Sequence, residues 1–321
     1  MSGLRRVLRL VLLAAVLILL GGYLVRHRAE VVASLSNLTW GVFLLLCGLE
    51  VVNSLLSGYR LYLVAREHGE RVDLAGAVRL FLVGRFLNTF LPQSGNLYRG
   101  LRFKSRFGVG YARYVGVLAG FTWLSVVTTV ALALVVLALP GPAPPGADPR
   151  EAVAWLLGLL LGVPVAAVAA TRIATRHRRL GPLAERARGL LDGLRESLAR
   201  PRLLIPFLAT SLVSFGISVA YFGATFHSLG LAPGPASVAV LVTLVRVGSL
   251  VNLTPGNLGV LEAASGALVD WLGFSAADGV LVVAVGRAVG LVVVIGLALV
   301  AGWRDVLDTL ASALGGQGRD R

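Results

Sequence analysis

The sequence predicts an all-α polytopic membrane protein with about six full spans and two re-entrant helical hairpins, arranged as an inverted repeat. Three observations carry this prediction. Of 321 residues, 56% are hydrophobic and only 14% charged, and the mean hydropathy is +0.82; a water-soluble core of this size needs far more polar surface. Several apolar stretches reach the roughly 20 residues that cross a bilayer. Two others are interrupted, at Leu91-Pro92-Gln93-Ser94-Gly95-Asn96 and at Thr254-Pro255-Gly256-Asn257. In both, an ionisable residue follows the proline by seven positions, Arg99 in the first and Glu262 in the second. Broken backbone is tolerated at membrane depth only where protein or a water-filled cavity satisfies its polar groups. The two breaks are therefore expected to face each other across a cavity.

Net charge is +14, carried almost wholly by arginine. In a membrane protein this points to loops on an anionic cytoplasmic leaflet rather than to a nucleic-acid site. Cys47 is the single cysteine, which excludes an intrachain disulfide, a cysteine-based metal site and a redox pair. The scattered histidines add no metal motif, so neither a metal nor a cofactor is expected.

Residues 1–37 form an anchor helix and linker: a basic start at Arg5, Arg6 and Arg9, then an apolar stretch from Val11 to Val25 that runs into Arg26-His27-Arg28 without a small-residue cleavage site. Residues 38–139 form the first repeat. Leu38 to Val64 is long enough to span and holds Glu50, Asn53 and Arg60. An intramembrane acid is costly and normally faces the bundle interior, so Glu50 either works in a gate or pairs with an arginine to hold helices together. Arg66 to Arg79 reads as a cytoplasmic loop. Ala75 to Leu91 makes a helix only about 25 Å long at about 1.5 Å per residue, too short to cross comfortably. Beyond the break, Arg99, Arg102 and Arg106 recur at helical spacing on one face. The unit is expected to enter from the cytoplasmic side, turn at Pro92 to Gly95 and return along a basic helix. Tyr114 to Leu139 spans.

Residues 140–202 connect the halves. The proline-rich stretch from Pro140 lacks basic residues until Arg150 and is expected outside. Ala152 to Ala170 returns, and Arg172 to Arg202, with nine arginines against three acids, is expected in the cytoplasm as an amphipathic segment on the inner leaflet. The second repeat occupies residues 203–303: an outward span from Leu203 to Leu229, a hairpin broken at residues 254–257, and an inward span from Gly279 to Val300. Both limbs of this hairpin are long enough to span if the bilayer thins, so re-entrant and spanning readings both stand. Residues 304–321 form a cytoplasmic tail, and both termini are expected inside.

Inverted repeats with interrupted helices near the midplane are characteristic of secondary transporters. Helices that restart after Gly95 and Asn257 present unpaired backbone N–H groups suited to anions. Arg85, Arg246 and Arg287 in apolar segments, joined by Arg99, suit bidentate phosphate contact. Glu50 and Glu262 are candidates for gating or proton coupling, or for salt bridges to individual arginines. Asn96 and Asn257 stand at the breaks as further headgroup ligands, with Pro92, Gly95, Pro255, Gly256 and Gly259 shaping the backbone. No phosphate loop, HExxH, paired-cysteine or GxSxG motif occurs, and no catalytic residue is expected.

The stretch from Leu91 to Arg99, the basic helix after it, and Thr254-Pro255-Gly256-Asn257-Leu258-Gly259-Val260-Leu261-Glu262 resemble the two signature stretches of the lysylphosphatidylglycerol synthase transmembrane-region family, also called flippase-like domain proteins. The likeness covers roughly residues 38 to 300. It matches Pro92, Gly95 and Arg99 to the first signature, and Pro255, Gly256, Gly259 and Glu262 to the second. Arg287 matches an arginine often found in the last span. The first stretch is one residue short between proline and arginine, and Asn257 stands where the family usually has glycine. Larger family members carry a cytosolic aminoacyl-transferase domain, and with so few residues after Val300 lysine transfer is not expected. The resemblance thus implies a non-enzymatic translocator of the prokaryotic cytoplasmic membrane. Its cargo would be membrane lipids with an anionic headgroup, phospholipid or polyprenyl-phosphate-linked sugar. Two rivals are a non-transporting subunit that docks a glycosyltransferase or lipid synthase through Arg172 to Arg202, and an intramembrane transferase using Glu262 as base.

Overall fold

The computed structural model describes residues 38–68, 73–90, 94–107, 111–139, scattered residues between 151 and 169, 201–249 and 259–315. The expected anchor helix, Pro92, the 140–149 loop, most of the basic connecting segment, and Pro255, Gly256 and Asn257 lie outside these residues. Among the described residues the chain is all-helical, with α1 (Trp40–His68), α2 (Leu74–Phe90), α3 (Ser94–Phe107), α4 (Tyr111–Ala138), α5 (Pro201–Ser228), α6 (Pro235–Gly248), α7 (Val260–Trp271) and α8 (Ala276–Gly315). Residues 151 to 169 add further helical positions.

The helix starts follow local chemistry. Thr39 opens α1, its side-chain oxygen accepting from Val42 N–H at 3.4 Å. Asp73 caps α2, with Oδ2 accepting from Gly76 N–H at 2.9 Å. Ser275 and Asp278 form a reciprocal capping box at the start of α8, at 3.1 and 3.2 Å. Of the loop expected over Arg66 to Arg79, residues 66–68 belong to α1 and residues 74–79 to α2. At the other end α8 continues past Arg304 to Gly315, because residues 304–314 contain no glycine or proline to stop it.

Three helical segments among the described residues are long and apolar enough to cross a membrane: Trp40–Leu63, Arg202–Ser228 and Ala276–Ala301. Thr122–Ala138 and Pro235–Gly248 are shorter apolar helices. Burial is inverted relative to a water-soluble protein. Leu44, Leu45, Leu212, Val292 and Leu299 are exposed, whereas Ser54, Ser214, Thr225, Thr243 and Glu262 are buried. Such a surface suits a hydrocarbon solvent, in which polar groups must be satisfied internally. Four buried hydroxyls comply: Ser54, Ser218, Thr225 and Thr243 each donate to the carbonyl one turn earlier, at 2.8 to 2.9 Å, whereas Ser211 and Ser265 find no partner among the described residues.

Helix α1 packs against both α2 and α5. Within each half, α2 packs on α3 and α5 on α6, while α7 lies against α8. Across the halves, α2 meets α8 and α6 meets α4, and α1 meets α8 and α5 meets α4. The main core joins Leu46 of α1, Trp123 and Val130 of α4, Phe226 of α5, Leu241 and Val242 of α6, Val269 of α7 and Val282 and Val289 of α8.

Gly95, expected within the first break, instead lies in the first turn of α3. Its role is close approach. A Cβ there would stand 1.7 Å from the Gly84 carbonyl oxygen of α2, so α2 and α3 touch backbone to backbone. Gly279 does the same for α8 against α7, where a Cβ would meet Ser265 O at 2.4 Å. Gly95→Ala and Gly279→Ala are each expected to destabilise by about 1–3 kcal/mol through overpacking, read as a lower unfolding temperature in detergent. Gly216→Ala, where a Cβ meets nothing within 4 Å, is expected to leave that temperature unchanged or slightly raised.

Candidate functional site

The packing of α1, α2, α5, α6, α7 and α8 leaves a cavity of about 570 Å3 between them. Its walls are mainly apolar, from Ile217, Phe222, Val242, Val245, Leu261, Val283 and Leu291, and its polar points are Glu50, Asn53, Arg85, Thr89, Ser218, Arg246 and Arg287. An apolar cavity with a few convergent polar groups is the usual form of a ligand site. Gly286 and Gly290 keep the α8 wall low. Tyr221 Oη donates to Gly286 O at 3.0 Å and ties α5 to that wall.

The three lining arginines are held in two ways. Arg85 forms an ion pair with Glu50 across α1 and α2, and its Nη1 donates to Ser54 Oγ at 2.6 Å. Arg287 Nε lies 2.8 Å from Glu262 Oε1. Arg246 has only hydroxyl and carbonyl partners: Nη2 donates to Ser214 O at 2.6 Å, Ser214 Oγ at 2.9 Å and Ser218 Oγ at 2.8 Å. Its Nη1 reaches Thr129 Oγ1 at 3.4 Å, and the guanidinium sits 6.0 Å from the Phe215 ring centroid. Among the described residues no carboxylate lies within ion-pair distance of Arg246.

Arg85 and Arg246 are each the twelfth residue of their helices, α2 and α6. Each reaches two side chains one turn apart on the preceding long helix, Glu50 and Ser54 on α1 for Arg85, Ser214 and Ser218 on α5 for Arg246. Serine thus stands in the second half where the first has its counter-ion.

A fourth arginine lies behind Ser214. Arg60 Nη2 donates to Ser57 Oγ at 2.9 Å and to the same Ser214 Oγ at 3.4 Å. Ser214 spends its own proton on Asn53 Oδ1 at 2.6 Å, which turns its lone pairs toward both arginines. Arg60 Nε is buried and finds no hydrogen-bond partner among the described residues.

Glu262 is 2% exposed and has two tasks. Oε1 meets Arg287, and Oε2 accepts from Gly259 N–H at 2.7 Å. Gly259 has φ 80°, a left-handed conformation that glycine adopts without strain, and this aims its N–H at the carboxylate. At the start of α7 one N–H, that of Gly259, is thus taken by the chain's own Glu262. The start of α3 is similarly engaged: Asn88 Oδ1 accepts from Gly95 N–H at 2.8 Å, and Ser94 Oγ donates to Leu87 O at 2.9 Å. Of the helix N-termini expected as anion sites, each has one N–H, that of Gly95 or Gly259, engaged within the chain. Asn96 and Arg99 are also not among the cavity's lining residues. Arg99 Nη2 donates to Asn96 Oδ1 at 2.6 Å and Nε to Gly95 O at 3.2 Å, while its stem lies over Gly84. Close contact of α2 with α3 presses this side chain along α2.

The sequence reading passed over Ser214, Ser218, Tyr221 and Thr129. A signal existed on α5, where Ser211, Ser214, Ser218, Tyr221, Thr225 and Ser228 recur at alternating three- and four-residue steps, the spacing of one helical face.

Fold and site together define a multi-pass α-helical membrane protein with a charged, apolar-walled cavity inside its helix bundle. The chain belongs to the lysylphosphatidylglycerol synthase TM region family, whose model matches residues 6–298. Neither a curated protein nor a solved structure matches the chain.

Removing one partner of a buried ion pair strands the other charge, at a cost of about 3–5 kcal/mol. Glu262→Gln is expected to lose stability on that scale in chemical unfolding in detergent. The double substitution Glu262→Gln with Arg287→Gln is expected to recover part of the loss. Simple additivity of the two single effects would contradict the pairing.

Proposed function

We propose that this protein moves a lipid with an anionic headgroup between leaflets of the prokaryotic cytoplasmic membrane, with both termini on the cytoplasmic side. The observation behind this reading is Arg246, a cation inside the bundle that faces an apolar-walled cavity and has no carboxylate partner among the described residues. An uncompensated charge in a low-dielectric interior is costly. A ligand anion that enters the cavity removes that cost, while the apolar walls and surrounding lipid accept its tails.

The inverted repeat belongs to this reading. It pairs α1 to α4 with α5 to α8, and the exchange of neighbours supports it: α2 meets α8 as α6 meets α4, and α1 meets α8 as α5 meets α4. The matched positions of Arg85 and Arg246 support it further. The headgroup sits at the interface of the two halves, on Arg246 with Arg85 and Arg287 nearby. The pairs Arg85–Glu50 and Arg287–Glu262 close the bundle, each joining two helices at the cavity wall. They are the contacts that open and re-form as one half rocks against the other. Arg99 and Asn96 act in this scheme through the α2–α3 contact, with no direct hold on the headgroup.

Reconstitution tests the reading. Vesicles containing tail-labelled phosphatidylglycerol and phosphatidic acid are expected to redistribute label between leaflets only when they hold the wild-type protein. Arg246→Gln is expected to slow redistribution at least about tenfold, the effect of losing a hydrogen-bonded charge. Wild-type rates in Arg246→Gln vesicles, with the variant folded, would contradict the assignment.

A further inference from the structure

Charge within the cavity points to the class of headgroup. Four arginines, Arg60, Arg85, Arg246 and Arg287, stand on or directly behind its walls against two glutamates, Glu50 and Glu262. Both glutamates are already committed, Glu50 to Arg85 and Glu262 to Arg287. Arg60 and Arg246 remain, and among the described residues neither has a carboxylate within ion-pair distance. They converge on one oxygen, Ser214 Oγ, from which Nη2 of Arg246 and Nη2 of Arg60 lie 2.9 and 3.4 Å away. Two like charges so close, in a medium of low dielectric, repel each other unless an anion joins them. The breaks at residues 91–93 and 250–258 contain no ionisable side chain, so they bring no acid to the site.

We propose that the cavity is built for a lipid headgroup carrying two negative charges, a terminal phosphomonoester or a diphosphate, in preference to a phosphodiester with one. This inference rests on the translocator reading and gives its cargo a charge. The phosphate sits on the cavity side of Arg246, beside Ser218, and supplies the negative charge that Glu50 supplies to Arg85. Ser218 lines the cavity as a neutral neighbour, and Arg60 contributes its charge from behind Ser214. A phosphodiester neutralises one of the two arginines and leaves the other uncompensated. A phosphomonoester carries about −1.5 to −2 at pH 7 because its second ionisation lies near pH 6, and a cationic site favours the more ionised form.

The test is equilibrium binding to the full chain in neutral detergent, followed by native mass spectrometry, with short-chain phosphatidic acid and phosphatidylglycerol of matched tails as probes. Phosphatidic acid is expected to bind at least about tenfold more tightly at pH 7.5, and this advantage is expected to shrink as pH falls toward 5 and the second proton returns. Arg60→Gln and Arg246→Gln are each expected to shrink the preference toward equal affinity, and Arg246→Gln, which loses the direct contact, to weaken phosphatidic acid binding itself by roughly 10- to 100-fold. A short-chain polyprenyl phosphate and its diphosphate, run as further arms, separate tail class from charge. Equal affinity for phosphatidic acid and phosphatidylglycerol, or a preference independent of pH between 5 and 7.5, would overturn the charge inference. In that event redistribution of both lipids in vesicles would leave translocation standing. If wild-type protein held neither probe and moved neither, the failure would lie with the translocator reading itself. The wild-type comparison needs no variant, so a folding defect in Arg246→Gln does not blunt it.

Discussion

A guanidinium buried in a helix bundle must find oxygen, and every feature of this cavity follows from how its arginines do so. Arg85 and Arg287 find carboxylates on the helix that precedes their own and become crosslinks between consecutive helices. Arg246 finds the hydroxyls and carbonyl of α5, which satisfy its hydrogen bonds but not its charge. Hydrogen bonding and neutralisation are separate requirements in a low dielectric. That separation distinguishes a residue that holds the bundle from one ready to hold an anion.

Glu262 shows the same economy from the acid side. Its carboxylate fills the N-terminus of α7 through Gly259 N–H and fixes Arg287, so the break before α7 is locked to the last long helix. A helix N-terminus carries a partial positive charge that welcomes any anion, and here the chain supplies one three residues after the cap. In the proposed scheme the headgroup is therefore held by side chains on α5 and α6 and not by a helix terminus. The left-handed Gly259 makes that lock possible, since a side chain at that backbone conformation would be strained.

Much of this was legible in the sequence for physical reasons. Apolar length and proline position located α1, α2, α5, α6 and the start of α8 to within a few residues, because lipid imposes both helix length and internal hydrogen bonding; the far end of α8 was missed. The charged candidates Glu50, Arg85, Arg246 and Arg287 were singled out because an ionisable group at membrane depth is costly, and all four line the cavity. Arg99 was singled out because its offset from Pro92 matches that of Glu262 from Pro255, while its direction follows the Gly84–Gly95 contact, a tertiary fact. The hydroxyl face of α5 was overlooked for a different reason. Serine and threonine barely lower a hydropathy average, and only their helical period sets Ser211, Ser214, Ser218, Tyr221, Thr225 and Ser228 apart from an ordinary span.

The central claim is that a headgroup phosphate, not a protein carboxylate, completes the charge of Arg246. Cryo-electron microscopy of the wild-type protein in nanodiscs formed with native lipid addresses it most directly. The account predicts headgroup density within hydrogen-bond distance of Arg246, between α5 and α6, with the Arg85–Glu50 and Arg287–Glu262 pairs on either side. A cavity without headgroup density, or an acidic side chain of the chain itself seated on Arg246, would contradict it.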